Sequence, residues 1–160
     1  MTTPSGTTAV VRMAAEADIA ALSDLNAGLF AEDAGTRDAF VNLDWSGRAK
    51  YFADVIADGR RNIALVADID GSPAGYVVAR LHDASDFRPV VTAVLESMYV
   101  RHDHRNSGVG TALVRSFLEW AKAAESGRVV VTAYVQNAGA IRFYERFGLR
   151  PRAVTLDMAV

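Results

Sequence analysis

The hydrophobic period of the chain changes along its length, and this change constrains the fold more than any other feature of the sequence. In the stretch 15–30, apolar residues recur every three or four positions, as at Ile19, Leu22 and Leu25, which predicts a helix. From 62 to 100, β-rich runs replace this spacing, and the helical period returns from Val109 onward. A helical start, a run of neighbouring strands and an alternating second half predict an α/β fold with a mixed sheet.

Turn residues set the expected bounds of the elements. The tetrapeptide at 70–73 is a hairpin signal, and Gly59 and Gly148 each predict the end of a helix. The expected strands cover 8–13, 62–69, 74–82, 90–100, 128–135 and 153–158. The expected helices cover 15–30, 45–57 and 138–147, together with a long helix that follows the loop 101–110 and ends at 125. A loop at 31–44 separates the first two helices, and the order is β α α β β β α β α β.

Length and composition predict one globular domain. A chain of 160 residues that is 51% hydrophobic can bury a core without covalent staples. Residues 1–7 are small and polar and are expected to be a disordered tail, which leaves 8–160 as the domain. The absence of cysteine excludes a disulfide framework, a thiolate metal site and a cysteine nucleophile.

The charge pattern argues against nucleic-acid and membrane partners. The net charge is −2, without the basic excess of a nucleic-acid-binding module. No apolar run approaches the ~18 to 20 residues of a membrane span, and the start lacks the pattern of a secretory signal, so a cytoplasmic location is expected. Residues 1–80 carry a net charge of −4 and residues 81–160 a net charge of +2. This asymmetry suits an anionic cofactor and a cationic substrate, although ordinary surface scatter accounts for it equally well.

A glycine-bearing loop between a predicted strand and the long helix is the most informative motif. In the segment 105–110, Arg-Asn-Ser-Gly-Val-Gly, two glycines let the backbone turn tightly, so that successive N–H groups face one small space. The following helix adds its free N-terminal donors and the positive end of its dipole. The loop therefore fits a pyrophosphate, and a purely structural turn is the alternative. The segment matches neither the Walker pattern nor the dinucleotide fingerprint.

This Arg-x-x-Gly-x-Gly loop resembles the acetyl-CoA signature of the GNAT acetyltransferase superfamily. The segment 137–149 is similar to a second element of that family, N-x-x-A-x-x-x-Y-x-x-x-G-F, with Leu149 in place of the usual phenylalanine. The order of elements also matches the family from Val10 onward. The resemblance implies a single GNAT domain whose twisted, mixed sheet has splayed central strands and is flanked by helices. It also implies an N-acetyltransferase with acetyl-CoA as cosubstrate.

The resemblance carries over to specific cofactor-binding positions. The backbone of Met98, Tyr99 and Val100 would pair with the pantetheine arm as an added strand does. The pyrophosphate would be held by the Thr111 hydroxyl and by the backbone amides of Arg105, Asn106, Ser107, Gly108, Val109 and Gly110. A bulge is expected around Met98 and Tyr99, with a backbone N–H as oxyanion donor.

Asn137 and Tyr144 in the second motif each have two possible roles. Asn137 would reach the pantetheine, and it also suits a helix N-cap, two roles that can coexist. Tyr144 would lie near the thioester sulfur as general acid and as a cofactor contact. The alternative for Tyr144 is packing, because Phe143 and Phe147 give this helix an aromatic core face.

Glu96 is the expected base. Without cysteine the amine must attack the thioester directly, and an amine that is protonated at neutral pH needs a proton acceptor. Glu96 is an acidic residue in an apolar strand, and its segment resembles the acceptor-lining strand of aminoglycoside-modifying members of the family. The alternative is a glutamate that faces water or pairs with an arginine. Ribosomal-protein acetyltransferases of the family use a glutamate at the position of Thr132, which argues against that subgroup.

The expected acceptor is a small, cationic primary amine similar to an aminoglycoside or a polyamine. The predicted loop 31–44 holds an acidic rim, from which Glu32 and Asp33 are expected to bind substrate together with Glu96. Such an acceptor would point to antibiotic resistance or detoxification. A protein or peptide acetyltransferase and a non-catalytic acyl-CoA sensor are the alternatives. The histidines lack a carboxylate partner that converges with them, so no metal is expected. The last apolar strand offers an edge for a homodimer.

Overall fold

In a computed structural model, which describes residues 8–160, the chain folds into a five-stranded sheet with helices on both faces. The expected disordered tail 1–7 lies outside the described residues. The strands are β1 (Val10–Met13), β2 (Asn62–Ile69), β3 (Ser72–His82), β4 (Thr92–Val100) and β5 (Arg128–Val131). The helices are α1 (Ile19–Thr36), α2 (Arg48–Ala57), α3 (Val109–Ala123) and α4 (Ala138–Glu145). None of the helices in this part of the chain is both long and apolar enough to cross a bilayer.

The sheet is mixed, as the sequence predicts. Its strands lie in chain order, β1-β2-β3-β4-β5, and the first four are antiparallel neighbours. β5 runs parallel to β4 and pairs with it only from Thr92 to Leu95. Beyond Leu95, β4 keeps a ladder with β3 and has none with β5. The second half of β4 therefore presents one open backbone edge beside β5.

Both faces of the sheet are buried, which explains the long apolar runs of its central strands. Side chains alternate between faces along each strand, so Leu65 and Val77 join one cluster while Val66 and Val78 join the other. The first cluster packs against α3 through Val109, Leu113, Phe117 and Ala121. The second packs against α1 and α2 through Leu22, Leu25, Phe52 and Val55. The α/β class is confirmed.

The first helix is longer than the sequence predicts. α1 continues to Thr36, through residues that were expected to begin a loop. An ion pair between Arg37 and Asp33, with 2.9 Å between Nη1 and Oδ1, spans one turn, and the Thr36 hydroxyl donates to the carbonyl of Glu32. These local contacts stabilise a helical end whose turn-forming composition favours a loop. Glu32 and Asp33 consequently lie on the last turns of α1.

The C-terminal strands are shorter or fewer than the sequence predicts. β5 ends at Val131 and not at 135, and the segment 153–158 does not form the expected sixth strand. Val154, Leu156 and Met158 are 69%, 91% and 80% exposed, so their side chains pack against no core. A strand needs a neighbouring ladder and a buried face, and this segment has neither in the described chain.

Candidate active site

Glu96 lies at a bulge in β4. In the β3–β4 ladder Ser97 pairs with Val78 and Leu95 pairs with Ala79, which leaves Glu96 without a partner. A bulge was expected around Met98 and Tyr99; the structure has it at Glu96 instead. An extra residue in one strand bends that strand and increases its local twist. The bulge follows directly on the last residue of β4 that pairs with β5, so it lies where the two strands separate.

Two side chains from different elements hold the Glu96 carboxylate. The Tyr51 hydroxyl of α2 donates to Oε2 at 2.9 Å, and the Arg80 Nε of β3 lies 2.9 Å from Oε1. The Glu96 side chain is 28% exposed, so it retains access to solvent or to a ligand. Burial raises the pKa of Tyr51, and the neighbouring Glu96 charge raises it further, which keeps the phenol protonated as a donor. The arginine partner that sequence reasoning offered as an alternative is therefore present.

Tyr144 of α4 faces the open edge of β4. Its hydroxyl lies 3.7 Å from the Met98 sulfur, and its ring packs beside Phe143, which in turn packs against Phe147. Burial raises the pKa of Tyr144 to about 12. The phenol therefore carries its proton at neutral pH and can donate it to a group that lies along β4.

The glycine loop leads into an uncapped helix. Asn106 and Gly108 take left-handed conformations, with φ of 58° and 90°, and Gly108 is the N-cap of α3. A glycine has no side chain to accept from the first-turn amides, so those donors stay available to an anion. At Gly110 a Cβ would lie 3.3 Å from both the Met98 methyl carbon and the Phe143 ring, so α3 begins in close contact with β4 and α4.

Two other side chains of the loop contact the protein itself. Val109 is 1% exposed and belongs to the core, and the Ser107 hydroxyl donates to the carbonyl of His104. Thr111 lies in the first turn of α3 and is half-buried. The predicted anion site thus consists of backbone groups more than of side chains.

The Arg105 side chain donates hydrogen bonds to other groups of the protein. Its Nε donates to the Val100 carbonyl at 2.9 Å, and its Nη2 lies 2.6 Å from Oε1 of Glu32. The Tyr99 hydroxyl donates to the same Glu32 oxygen at 3.2 Å. The structure therefore joins two expected cofactor residues to an expected acceptor residue.

Two other acidic residues of the segment 31–44 are also paired. Asp33 pairs with Arg37, and Asp38 accepts from the Tyr134 hydroxyl at 2.9 Å. The second contact links the segment after α1 to the segment after β5.

Asn137 caps α4, because its Oδ1 accepts from the amide of Ala140 at 3.2 Å. The cap reading of Asn137 is therefore correct, and its contact with pantetheine stays a prediction.

Comparison with known proteins identifies this arrangement. The model of the acetyltransferase (GNAT) family matches residues 21–149, which is most of the chain. The chain belongs to the GNAT family. The match includes both motifs, the bulge at Glu96 and the open edge of β4.

Similar GNAT proteins support the assignment. The chain is 34% identical to an uncharacterized N-acetyltransferase of Methanocaldococcus jannaschii over 92 residues, 56% of this chain and 40% of that protein. It is 30% identical to an L-methionine sulfoximine/L-methionine sulfone acetyltransferase of Pseudomonas aeruginosa over 106 residues, 66% of this chain and 60% of that protein. These matches cover less than two thirds of the length of either relative. A solved structure of a Bacillus halodurans protein shares the fold, with a TM-score of 0.84 over 94% of this chain and 99% of that one at 18% identity.

The candidate site contains two side chains that sequence reasoning missed. Neither Tyr51 nor Arg80 is among the site residues that the sequence predicts. A signal for Arg80 exists, because it is a lone charge in an apolar strand, as Glu96 is in the next strand. Opposite charges in adjacent strands of a hairpin pair favourably. Tyr51 gives no comparable signal, since only tertiary packing brings α2 to β4.

Among residues 8–160 no cluster of three or more histidine, cysteine, aspartate or glutamate side chains could hold a metal ion.

Proposed function

We propose that this chain transfers an acetyl group from acetyl-CoA to a primary amine, by direct attack of the amine in a ternary complex. The observation that carries the proposal is the open edge of β4, which has Glu96 at one end and Tyr144 beside Met98. The uncapped start of α3 adjoins the same edge through Gly110. This combination suits an extended, amide-bearing arm that ends in an anion.

The residues present fit acetyl-CoA. The backbone of 98–100 can pair with the amides of the pantetheine arm, because β5 does not occupy this edge. The amides of the α3 first turn can receive the pyrophosphate. Acetyl-CoA supplies a thioester whose carbonyl carbon accepts an amine. The chain contains no cysteine, so no acyl-cysteine can form and the amine attacks directly.

Glu96 and Tyr144 are the proposed proton carriers. The amine nitrogen bonds to the carbonyl carbon while the carbon–sulfur bond breaks. Glu96 accepts the proton that the amine loses, directly or through water, and passes it to solvent. The Tyr144 hydroxyl donates a hydrogen bond and then a proton to the departing sulfur, and the phenolate that this leaves regains a proton from solvent. A backbone N–H at the bulge of β4 is the proposed donor to the carbonyl oxygen.

The proposed acceptor is a small primary amine. A cationic acceptor was expected from the acidic rim, and the net charge of −4 on residues 1–80 still supports it. The ion pairs of Glu32 with Arg105 and of Asp33 with Arg37 reduce the charge available to it. The relative from Pseudomonas aeruginosa is an L-methionine sulfoximine/L-methionine sulfone acetyltransferase, which supports a small acceptor in general.

Thiol release from acetyl-CoA tests the function. We would compare aminoglycosides, polyamines, amino acids and short peptides, with a tryptophan-fluorescence titration of acetyl-CoA alongside. Turnover with small amines supports the proposal, and turnover confined to aminoglycosides would link the chain to antibiotic resistance. Turnover with peptides alone would replace the acceptor class. Tight cofactor binding without turnover would instead support an acyl-CoA sensor.

A further inference from the structure

Three elements meet at one oxygen atom of Glu32. This residue lies on the last turns of α1, Tyr99 lies on the open half of β4, and Arg105 opens the glycine loop. Oε1 of Glu32 accepts from Arg105 Nη2 at 2.6 Å and from the Tyr99 hydroxyl at 3.2 Å. We call these three residues the Glu32 cluster.

Arg105 extends the cluster to the backbone of β4. Its Nε donates to the carbonyl of Val100, the last residue of the strand. Its guanidinium lies 5.3 Å from the centre of the Tyr99 ring. An arginine whose Nε and Nη2 both donate to protein groups, and whose guanidinium lies against a ring, has little conformational freedom left. Arg105 thus fixes the loop relative to the strand, and Glu32 fixes Arg105.

Gly28 lets α1 come close enough for these contacts. A Cβ at Gly28 would lie 3.0 Å from two ring carbons and the hydroxyl oxygen of Tyr99, which is tighter than ordinary van der Waals contact. Glycine in the middle of a helix lowers helix stability relative to alanine. The close approach of α1 to Tyr99 therefore has a structural cost, and the Glu32 cluster lies one turn further along the same helix face.

We propose that Glu32 is a positioning residue, which holds the glycine loop and the open edge of β4 in the geometry that binds acetyl-CoA. This inference rests on the proposed function. It gives Glu32 a role besides any contact with the acceptor, because Oε1 of Glu32 already accepts from two protein donors. It also leaves the pyrophosphate to the backbone amides, since the Arg105 side chain is held by Glu32 and Val100.

The variant Glu32→Gln tests the proposal, because it keeps the shape of the side chain and removes its charge. Calorimetry with acetyl-CoA should give a Kd that rises about threefold to tenfold, as expected for loss of a half-exposed, charge-assisted pair. Hydrogen–deuterium exchange of the free protein should be faster in the loop 101–111. The matched control is Asp54→Asn, which removes an ion pair of 2.6 Å to Lys50 on α2, away from the loop. It should leave both quantities unchanged.

A double-mutant cycle shows whether Glu32 acts through Arg105. Arg105→Gln alone should weaken acetyl-CoA binding, and adding Glu32→Gln should weaken it little further. Full additivity would overturn the proposal. An unchanged Kd with unchanged loop exchange in Glu32→Gln would also overturn it, as would a rise in the acceptor KM alone. Wild-type protein that does not bind acetyl-CoA would overturn the proposed function, while loop exchange would still report whether Glu32 orders the loop.

Discussion

Glu96 combines two features that rarely occur together in a strand residue. It interrupts an apolar run, and it lies at the position where the register of the β3–β4 ladder shifts. The Tyr51 hydroxyl donates a hydrogen bond to one carboxylate oxygen and Arg80 forms an ion pair with the other, so both contacts orient Glu96 before any ligand binds. A base that is already oriented loses no further freedom when it accepts a proton.

Glu96→Gln should lower kcat for thiol release by about a hundredfold, within the range reported for loss of a general base. The amide keeps the size of the side chain but does not accept a proton at neutral pH. Steady-state kinetics at saturating acetyl-CoA would measure the loss. Glu119→Gln on the exposed face of α3 is the matched control and should retain full activity. Equal rates in the two variants would exclude Glu96 as base.

Tyr144→Phe should lower kcat by about tenfold to a hundredfold, with the acetyl-CoA Kd unchanged. A phenol whose pKa is raised to about 12 is a weaker acid than a thiol of ordinary pKa ~8.5, so its main contribution is a hydrogen bond to the departing sulfur.

The same pKa fixes the pH dependence of Tyr144. Tyr144 must be protonated to act, and its raised pKa keeps it protonated up to the vicinity of pH 12. The pH–rate profile should therefore show no decline from this group between pH 7 and 10. Calorimetry and the profile together separate this role from packing, which would change the Kd or the fold.

At the scale of elements, ion pairs and a buried polar chain decide how helices meet the sheet. Asn26 of α1 donates to the Tyr76 hydroxyl at 2.9 Å, and this hydroxyl lies 2.5 Å from the Ser97 hydroxyl of β4. Tyr76 is fully buried, so its hydroxyl depends on these two partners. The chain links α1, β3 and β4 next to the bulge at Glu96, and it thereby stabilises the register that creates the bulge.

Asp18 joins β1 to the start of α1 and should make stability depend on pH. Arg12 donates to both Asp18 carboxylate oxygens at 2.8 Å, and Asp18 also accepts from the Ala15 amide. The hydrogen bonds from Arg12 lower the pKa of Asp18, which outweighs the opposing effect of burial. A carboxyl whose pKa is lower in the folded state stabilises the fold above its unfolded pKa of ~3.9, and this stabilisation is lost as pH falls through the folded value.

Asp18→Asn should therefore destabilise the protein by about 1–2 kcal/mol at pH 7, a value reduced because Arg12 is partly exposed. Urea unfolding at pH 7 and at pH 2.5 would measure this. The difference between wild type and variant should shrink at the lower pH. A constant difference would mean that the effect comes from packing and not from the charge.

At the scale of the molecule, the sheet is covered on both faces but not at its β5 edge. The segment 151–160 carries Val154, Leu156 and Met158 in alternation, all exposed. Partial burial together with Arg152 and Arg88 lowers the pKa of Arg128 at the start of β5, so cationic groups gather at this edge. Asp157 in the alternating segment carries the opposite charge.

Deletion of 153–160 should leave the thermal midpoint of a monomer within about 2 °C, because exposed side chains contribute little burial energy. Light scattering should give a dimer for the full chain and a monomer for the shortened one, if the expected homodimer uses this segment. A full chain that is monomeric at high concentration would contradict the homodimer. A large fall in the midpoint without a change in mass would mean that the segment packs within its own chain.

Local signals in the sequence determined the class of the fold, most elements and the two motifs. Periodicity gave the helices and the central strands, because each depends on residues a few positions apart. The glycine loop and the Asn137 cap were also predictable, since their backbone geometry depends on neighbouring residues.

Only the tertiary structure decided which side chains meet. The pairing of Glu32 with Arg105 joins residues 73 positions apart, and that of Tyr51 with Glu96 joins residues 45 positions apart. The place of the bulge depends on strand register, and the missing last strand depends on whether β5 offers it a ladder. Such contacts follow from how whole elements pack, and the free energy of that packing is spread over many residues. No short stretch of sequence contains it.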